Sequence, residues 1–150
     1  MSTHSENAVK VLNSLIETTL DSARGYKEAA HSSEDTQYKT MFSERSLKRM
    51  KITGDLQQEV RTFGGEPEDD QSVLGKAHNM FVDLKAAVLG HDEKAIVNEV
   101  ERGEDFIKAK FEKALAEDDL PATVRELVSR AFADIKADHD SISALKKTLN

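Results

Sequence analysis

The sequence predicts an all-α protein: an antiparallel four-helix bundle with an extra short helix in the long crossover between its two halves. Three observations carry that expectation. Pro is 2, Gly is 7, aromatics are 5% and charged residues 33% of 150 residues, a composition that tolerates helix and rarely punctuates strands. Apolar residues recur at three- and four-residue spacings, and no segment shows the alternation of a strand. Caps and stops separate those periodic segments.

The first helix is expected over about 5–31. Ser5-Glu6-Asn7 offers a cap with early negative charge, and Val9, Leu12, Ile16, Thr19, Ala23, Tyr26 and Ala30 form the inward stripe. Ser32-Ser33-Glu34-Asp35 then starts a second helix over about 35–63, which stops at Gly64-Gly65. An acidic, proline-containing link, Glu66 to Asp70, leads to a shorter helix over 71–89 with Val73, Ala77, Phe81, Leu84 and Val88 on one face. A helix over 93–117 carries Ile96, Val100, Gly103, Ile107 and Phe111 inward. The last helix is expected over 121–148, with Pro121 in its first turn. Short turns make the first and last helix pairs antiparallel hairpins, and the long connection joins them as in ferritin-like bundles. All of this reads as one domain, 1–150.

Charge and missing residue types narrow the function classes. A formal charge of −7 argues against general affinity for nucleic acid or an anionic membrane. No cysteine is present, which removes thiolate catalysis, disulfides and zinc-finger sites. No secretory signal is visible and no apolar run approaches a membrane span, so a cytoplasmic protein without membrane insertion is expected. No phosphate loop, dinucleotide fingerprint or nucleophilic triad is present.

The candidate chemistry lies in the second helix. Met41, Phe42, Ile52, Leu56, Val60 and Phe63 share roughly a third of its circumference at about 100° per residue, and Arg45 and Arg49 fall inside that arc. Buried guanidiniums need acidic partners. Glu104 lies on the apolar arc of its helix, and Asp138 and His139 flank the arc of theirs. With the first hairpin turn near residue 32, Arg49 is expected level with Ile16 and Arg45 with Leu20. Glu104 is expected level with Ile135. All five then make one mid-height polar layer, with Tyr26 nearby as a donor or as filling.

That layer has two readings. Mid-bundle carboxylates and histidines hold metal in di-iron bundles, which makes Glu104, Asp138 and His139 candidate ligands for iron or another divalent metal. The strict pattern fails, however. Its Glu-x-x-His occurs only as Glu28 to His31 at the end of the first helix, a further candidate pair, and the second helix offers Arg where a ligand is needed. His78 and His91 read as a cross-bundle hydrogen-bonder and a turn residue. The other reading is an Arg–carboxylate network standing where a metal centre would, fixing helix register more than adding stability.

Apolar residues also fall outside the core stripe. Leu47, Met50 and Gly54 lie opposite it on the second helix, and Phe106 does so with Ala95 and Ala109 on the fourth. Such stripes suit contacts between subunits, with a dimer favoured.

LNSLIETTLDSARGYKEAA, LQQEVRTFGGEPEDDQSVLGKAH, EVERGEDFIKAKFEKAL, DLPATVRELV and IKADHDSISAL resemble a bacterial family of uncharacterised ferritin-like four-helix-bundle proteins, a domain-of-unknown-function family. The similarity runs from about Val9 to Leu145. It implies the fold and a bacterial, cytoplasmic origin, and it supplies no activity. Two functions follow. One is a non-enzymatic bundle, associated with stress or envelope physiology, that acts by self-association or partner binding. The other is a metalloprotein for storage, oxidation or detoxification of a divalent ion.

Overall fold

The computed structural model describes residues 3–69 and 92–149. Within them the chain is all-helical, with no strand, in four helices: α1 Thr3–Ser32, α2 Thr36–Thr62, α3 Glu93–Leu115 and α4 Ala122–Thr148. The helix expected over 71–89, with His78 and His91, lies outside the described residues.

The helix ends follow local chemistry, with small shifts from expectation. The Asp35 carboxylate accepts the backbone N–H groups of Gln37 at 2.8 Å and Tyr38 at 3.2 Å, so Asp35 is the cap and α2 begins one residue later. Asp92 caps α3 in the same way through Lys94 and Ala95. Pro121 has φ −55° and ψ 147°, which places it at the cap of α4 instead of inside the helix. Arg125 donates to the carbonyl of Leu115 at 2.7 Å and to that of Glu117, tying off the exposed carbonyls at the end of α3.

Two glycines end α2 for different reasons. Gly64 sits at φ +78°, a backbone conformation L side chains rarely adopt. Gly65 lies against α1: a Cβ there would stand 2.7 and 2.8 Å from the Val9 methyls and 3.1 Å from Val60 Cγ1. The following strap is held by Asn13, which donates to the Glu66 carbonyl and accepts from the Glu68 N–H. The chain therefore leaves α2 beside the first half of α1. It re-enters at the opposite end, where the Glu93 carboxylate accepts the N–H groups of Glu34 and Asp35.

Packing is most extensive between α1 and α2 and between α3 and α4, and α1 meets α3 more closely than α2 meets α4. The core is split in two. One cluster gathers Leu12, Ile16, Leu56, Ile107, Phe111 and Val128 toward the α3–α4 turn. The other gathers Tyr26, Phe42, Ile96, Val97, Val100 and Ile142 toward the α1–α2 turn. Buried hydroxyls between them need no distant partner: Thr19 bonds the Leu15 carbonyl at 2.6 Å and Thr53 the Arg49 carbonyl at 2.8 Å.

One expectation is corrected. Ser46 Oγ reaches the Ala23 carbonyl at 2.8 Å, and Arg49 reaches Ser22 at 2.6 Å. The α1–α2 register is thus shifted by about one turn from pairings that put Arg49 level with Ile16. The cause is the turn itself, which lies over residues 33–35, later than the sequence pattern suggests.

The Gly65 contact yields a stability test. Gly65→Ala is expected to cost about 1–3 kcal/mol by overpacking against the stiff Val9 side chain, read from the urea midpoint. An unchanged midpoint contradicts this packing.

Candidate functional site: a buried ion-pair layer

The layer between the two apolar clusters is built around Arg49. Its side chain and that of Glu104 are both fully buried. Arg49 donates Nη1 to Glu104 Oε1 at 2.6 Å and Nη2 to Oε2 at 2.9 Å, a bidentate fork. The same guanidinium also reaches Ser22 Oγ at 2.6 Å and Asp138 Oδ2 at 3.3 Å. Burial disfavours the charged guanidinium, but the Glu104 carboxylate outweighs it and holds the Arg49 pKa above its ordinary value.

Asp138 is the second anion. Arg45 Nε approaches its Oδ1 at 3.5 Å, and Lys48 Nζ lies 3.1 Å from the same oxygen. Arg45 completes its contacts through Ser141 Oγ at 2.8 Å. Tyr26 closes the layer, its buried ring 5.2 Å from Arg49 Cζ and 6.0 Å from Arg45 Cζ. Burial, and next the Glu104 charge, push the Tyr26 phenol well above its usual range, so it stays neutral.

The structure thus brings together Arg45, Arg49, Glu104 and Asp138, with Asp138 rather than Ile135 closing on Glu104's partner. His139 stands beside this cluster, facing a different set of groups. Its Nε2 lies 2.6 Å from Asp105 Oδ1 and its Nδ1 3.1 Å from Asp140 Oδ1, at the rim of the α3–α4 pair. Glu28 and His31 are both exposed near the end of α1. Ser22, Lys48 and Ser141 also belong to the network although the sequence pattern did not single them out. Each falls three or four residues from a layer or core position, the only signal that points to it.

The donor set can be tested against a metal. Both oxygens of Glu104 are taken by Arg49, and Asp138 faces three cationic side chains. Both nitrogens of His139 lie against other carboxylates. Among the described residues no group of three or more His, Cys, Asp or Glu could hold a metal ion. A dication placed here would meet guanidinium charge at van der Waals range, so these residues do not fit a resident metal.

Removing Arg49 leaves Glu104 buried and unpaired. Arg49→Leu is expected to destabilise the fold by about 3–5 kcal/mol, and Arg49→Leu with Glu104→Leu to recover most of that loss. Stabilisation by Arg49→Leu alone contradicts the pairing.

His139 gives a pH test. Partial burial works against its protonation, but hydrogen bonds to Asp140 and Asp105 and the Asp105 charge prevail, with Lys108 opposing, and its pKa is raised above 6.5. Because the folded pKa is the higher one, this stabilisation is complete below about pH 6.5 and is lost as pH rises through the raised value. His139→Gln should remove that slope from urea midpoints measured between pH 5 and 8. A slope unchanged in the variant contradicts the assignment.

The family model for a domain of unknown function, DUF2383, matches residues 7–117. That span begins inside α1, takes in all of α2 and α3, and ends before α4. No curated protein matches the chain. The resemblance to a domain-of-unknown-function family is thereby established: the chain belongs to the DUF2383 family.

Proposed function

We propose that this protein is a non-enzymatic, ferritin-like antiparallel bundle of the bacterial cytoplasm, acting in stress physiology by self-association or by binding a protein partner. The observation that carries the reading is the Arg49–Glu104 fork. It occupies the mid-bundle position where a di-metal bundle places its carboxylate ligands, with every carboxylate oxygen of Glu104 committed. A carboxylate whose two oxygens are both held by a guanidinium is left neither as a metal ligand nor as a base for a substrate.

The wiring has support in where the chain leaves α2 and enters α3, at opposite ends of α1. Among the described residues no helix is long and apolar enough to cross a membrane. What the core withholds, the surface offers. Leu47 is 71% exposed, Met50 42% and Phe106 46%. Leu47 and Met50 border an apolar groove between α1 and α2, rimmed by Lys27, His31 and Lys39. Unpartnered apolar side chains of this size favour association.

Elemental mass spectrometry, anaerobic Fe(II) titration and sedimentation test the reading together. Protein purified without chelators should carry substoichiometric metal, oxidise no iron above buffer, and sediment heavier than one chain. Leu47→Glu with Met50→Glu should weaken association without lowering the unfolding midpoint. Stoichiometric iron lost on Glu104→Ala contradicts the proposal.

A further inference from the structure

Where α1 and α2 approach the turn that joins them, the groove between them differs from the other grooves in charge. It encloses about 870 Å³. Four of its lining side chains are basic, Arg24, Lys27, His31 and Lys39, and none is acidic. The α2–α4 groove, by contrast, sets Lys48, Lys51 and Arg130 against Asp55, Glu59 and Asp134, and the α1–α3 groove includes Glu117. The α1–α2 groove is therefore free of carboxylates in a chain where acids outnumber bases by 28 to 21.

Helix spacing organises that charge. Arg24, Lys27 and His31 are three and four residues apart, so they stand one above another along the α1 edge. Lys27 is exposed, and no ion pair engages it among the described residues. Lys39 closes the end nearest the turn, its Nζ donating to the carbonyls of Ala30 at 3.4 Å and His31 at 3.3 Å. Those carbonyls at the end of α1 fix the ammonium without cancelling its charge. Glu28 and Glu44 sit about 100° around their helices from Lys27 and Ser43 and are not part of the lining.

The floor is apolar and low. Ala23 and Ala30 lie buried two turns apart on α1, with no long side chain to fill the space above them. Leu47 and Met50 form an apolar wall along α2 that stays largely open to water. From Ala23 to His31 the groove follows about 12 Å of α1, roughly two turns.

An apolar floor, a basic edge and an open side together define the occupant. A small amphiphile needs most of its surface enclosed, and this groove leaves one side bare. A membrane surface is too flat to reach a floor between two helices, and a chain of charge −7 repels anionic lipid. A helix laid between α1 and α2 buries one stripe and keeps its other face in water, which suits an open groove of this length.

We propose that the groove receives an acidic amphipathic helix of a partner protein. Its apolar stripe lies over Ala23, Ala30, Leu47 and Met50, and its carboxylates run along the Lys27 edge. The inference rests on the reading that the protein works by association, and it names the face and the chemistry of the partner. The net charge of −7 disfavours such a helix over the rest of the surface, so the groove supplies specificity. The contact weakens as salt rises.

NMR titration of the isotope-labelled full chain tests this with two synthetic helices of about four turns. One flanks a leucine stripe with glutamate, and the other has lysine at every glutamate. The acidic peptide should shift the backbone resonances of Ala23, Ala30, Ser43 and Ser46, and the lysine peptide should not. Lys27→Glu should weaken the acidic peptide about tenfold or more and favour the lysine peptide. Lys51→Glu makes the same change of charge outside the groove and should leave the affinity unaltered. Both positions are exposed, so both variants should keep the wild-type unfolding midpoint. Equal weakening by the two variants overturns the groove in favour of overall charge. Palmitate shifting these resonances where the acidic peptide does not overturns the helical occupant. If the acidic peptide fails while Leu47→Glu with Met50→Glu abolishes self-association, this inference falls and the association reading stands. Stoichiometric iron lost on Glu104→Ala removes that reading whatever the peptides do.

Discussion

A guanidinium and a carboxylate, both out of contact with water, set the terms for the rest of this fold. Arg49 and Glu104 have no exposed side-chain surface, and each is tolerable only while the other is in place. The pair joins α2 to α3, which are distant in sequence, and Asp138 extends it to α4 and Ser22 to α1. All four helices therefore have one axial alignment that satisfies the layer. Sliding α2, α3 or α4 by a turn strands a charge, and sliding α1 removes the Ser22 acceptor, whereas the apolar contacts above and below would tolerate such a slide far better. The layer contributes alignment, and the two apolar clusters contribute the bulk of the burial.

This division accounts for features that look odd in a helical core. Small hydroxyls and Tyr26 surround the guanidiniums because leucine there would leave donors unanswered. Ser22, Ser141 and the Tyr26 ring supply acceptors and a polarisable face. Lys48 is half-exposed and shares Asp138, which lets a third cation balance the layer from the rim without being buried. The same saturation separates the layer from a metal centre. A metal site keeps carboxylate oxygens free to coordinate, and here they are spent on nitrogen donors.

Much of this was legible in the sequence because helical periodicity and capping are local. The stop at Gly64-Gly65, the cap before α2, and the placing of Arg45 and Arg49 on an apolar arc all follow from neighbouring residues. What was less legible depends on geometry between helices. A turn displaced by two residues moved the α1–α2 register and replaced Ile16 with Ser22 opposite Arg49. His139 adjoins Asp138 in sequence, yet about 100° of helical rotation carries it to Asp105 at the rim. Ser22 and Ser141 were invisible as layer members because serine on a helix has many uses, and only a long arginine nearby gives it this one.

The central claim is that the Arg49 guanidinium is locked in a closed fork inside the bundle. Side-chain NMR of the guanidinium protons tests it most directly. A locked, water-excluded fork predicts separate Arg49 Hη resonances that exchange slowly with solvent and lose their separation in Glu104→Gln. A single averaged Arg49 signal, exchanging as fast as those of exposed arginines, would contradict the account.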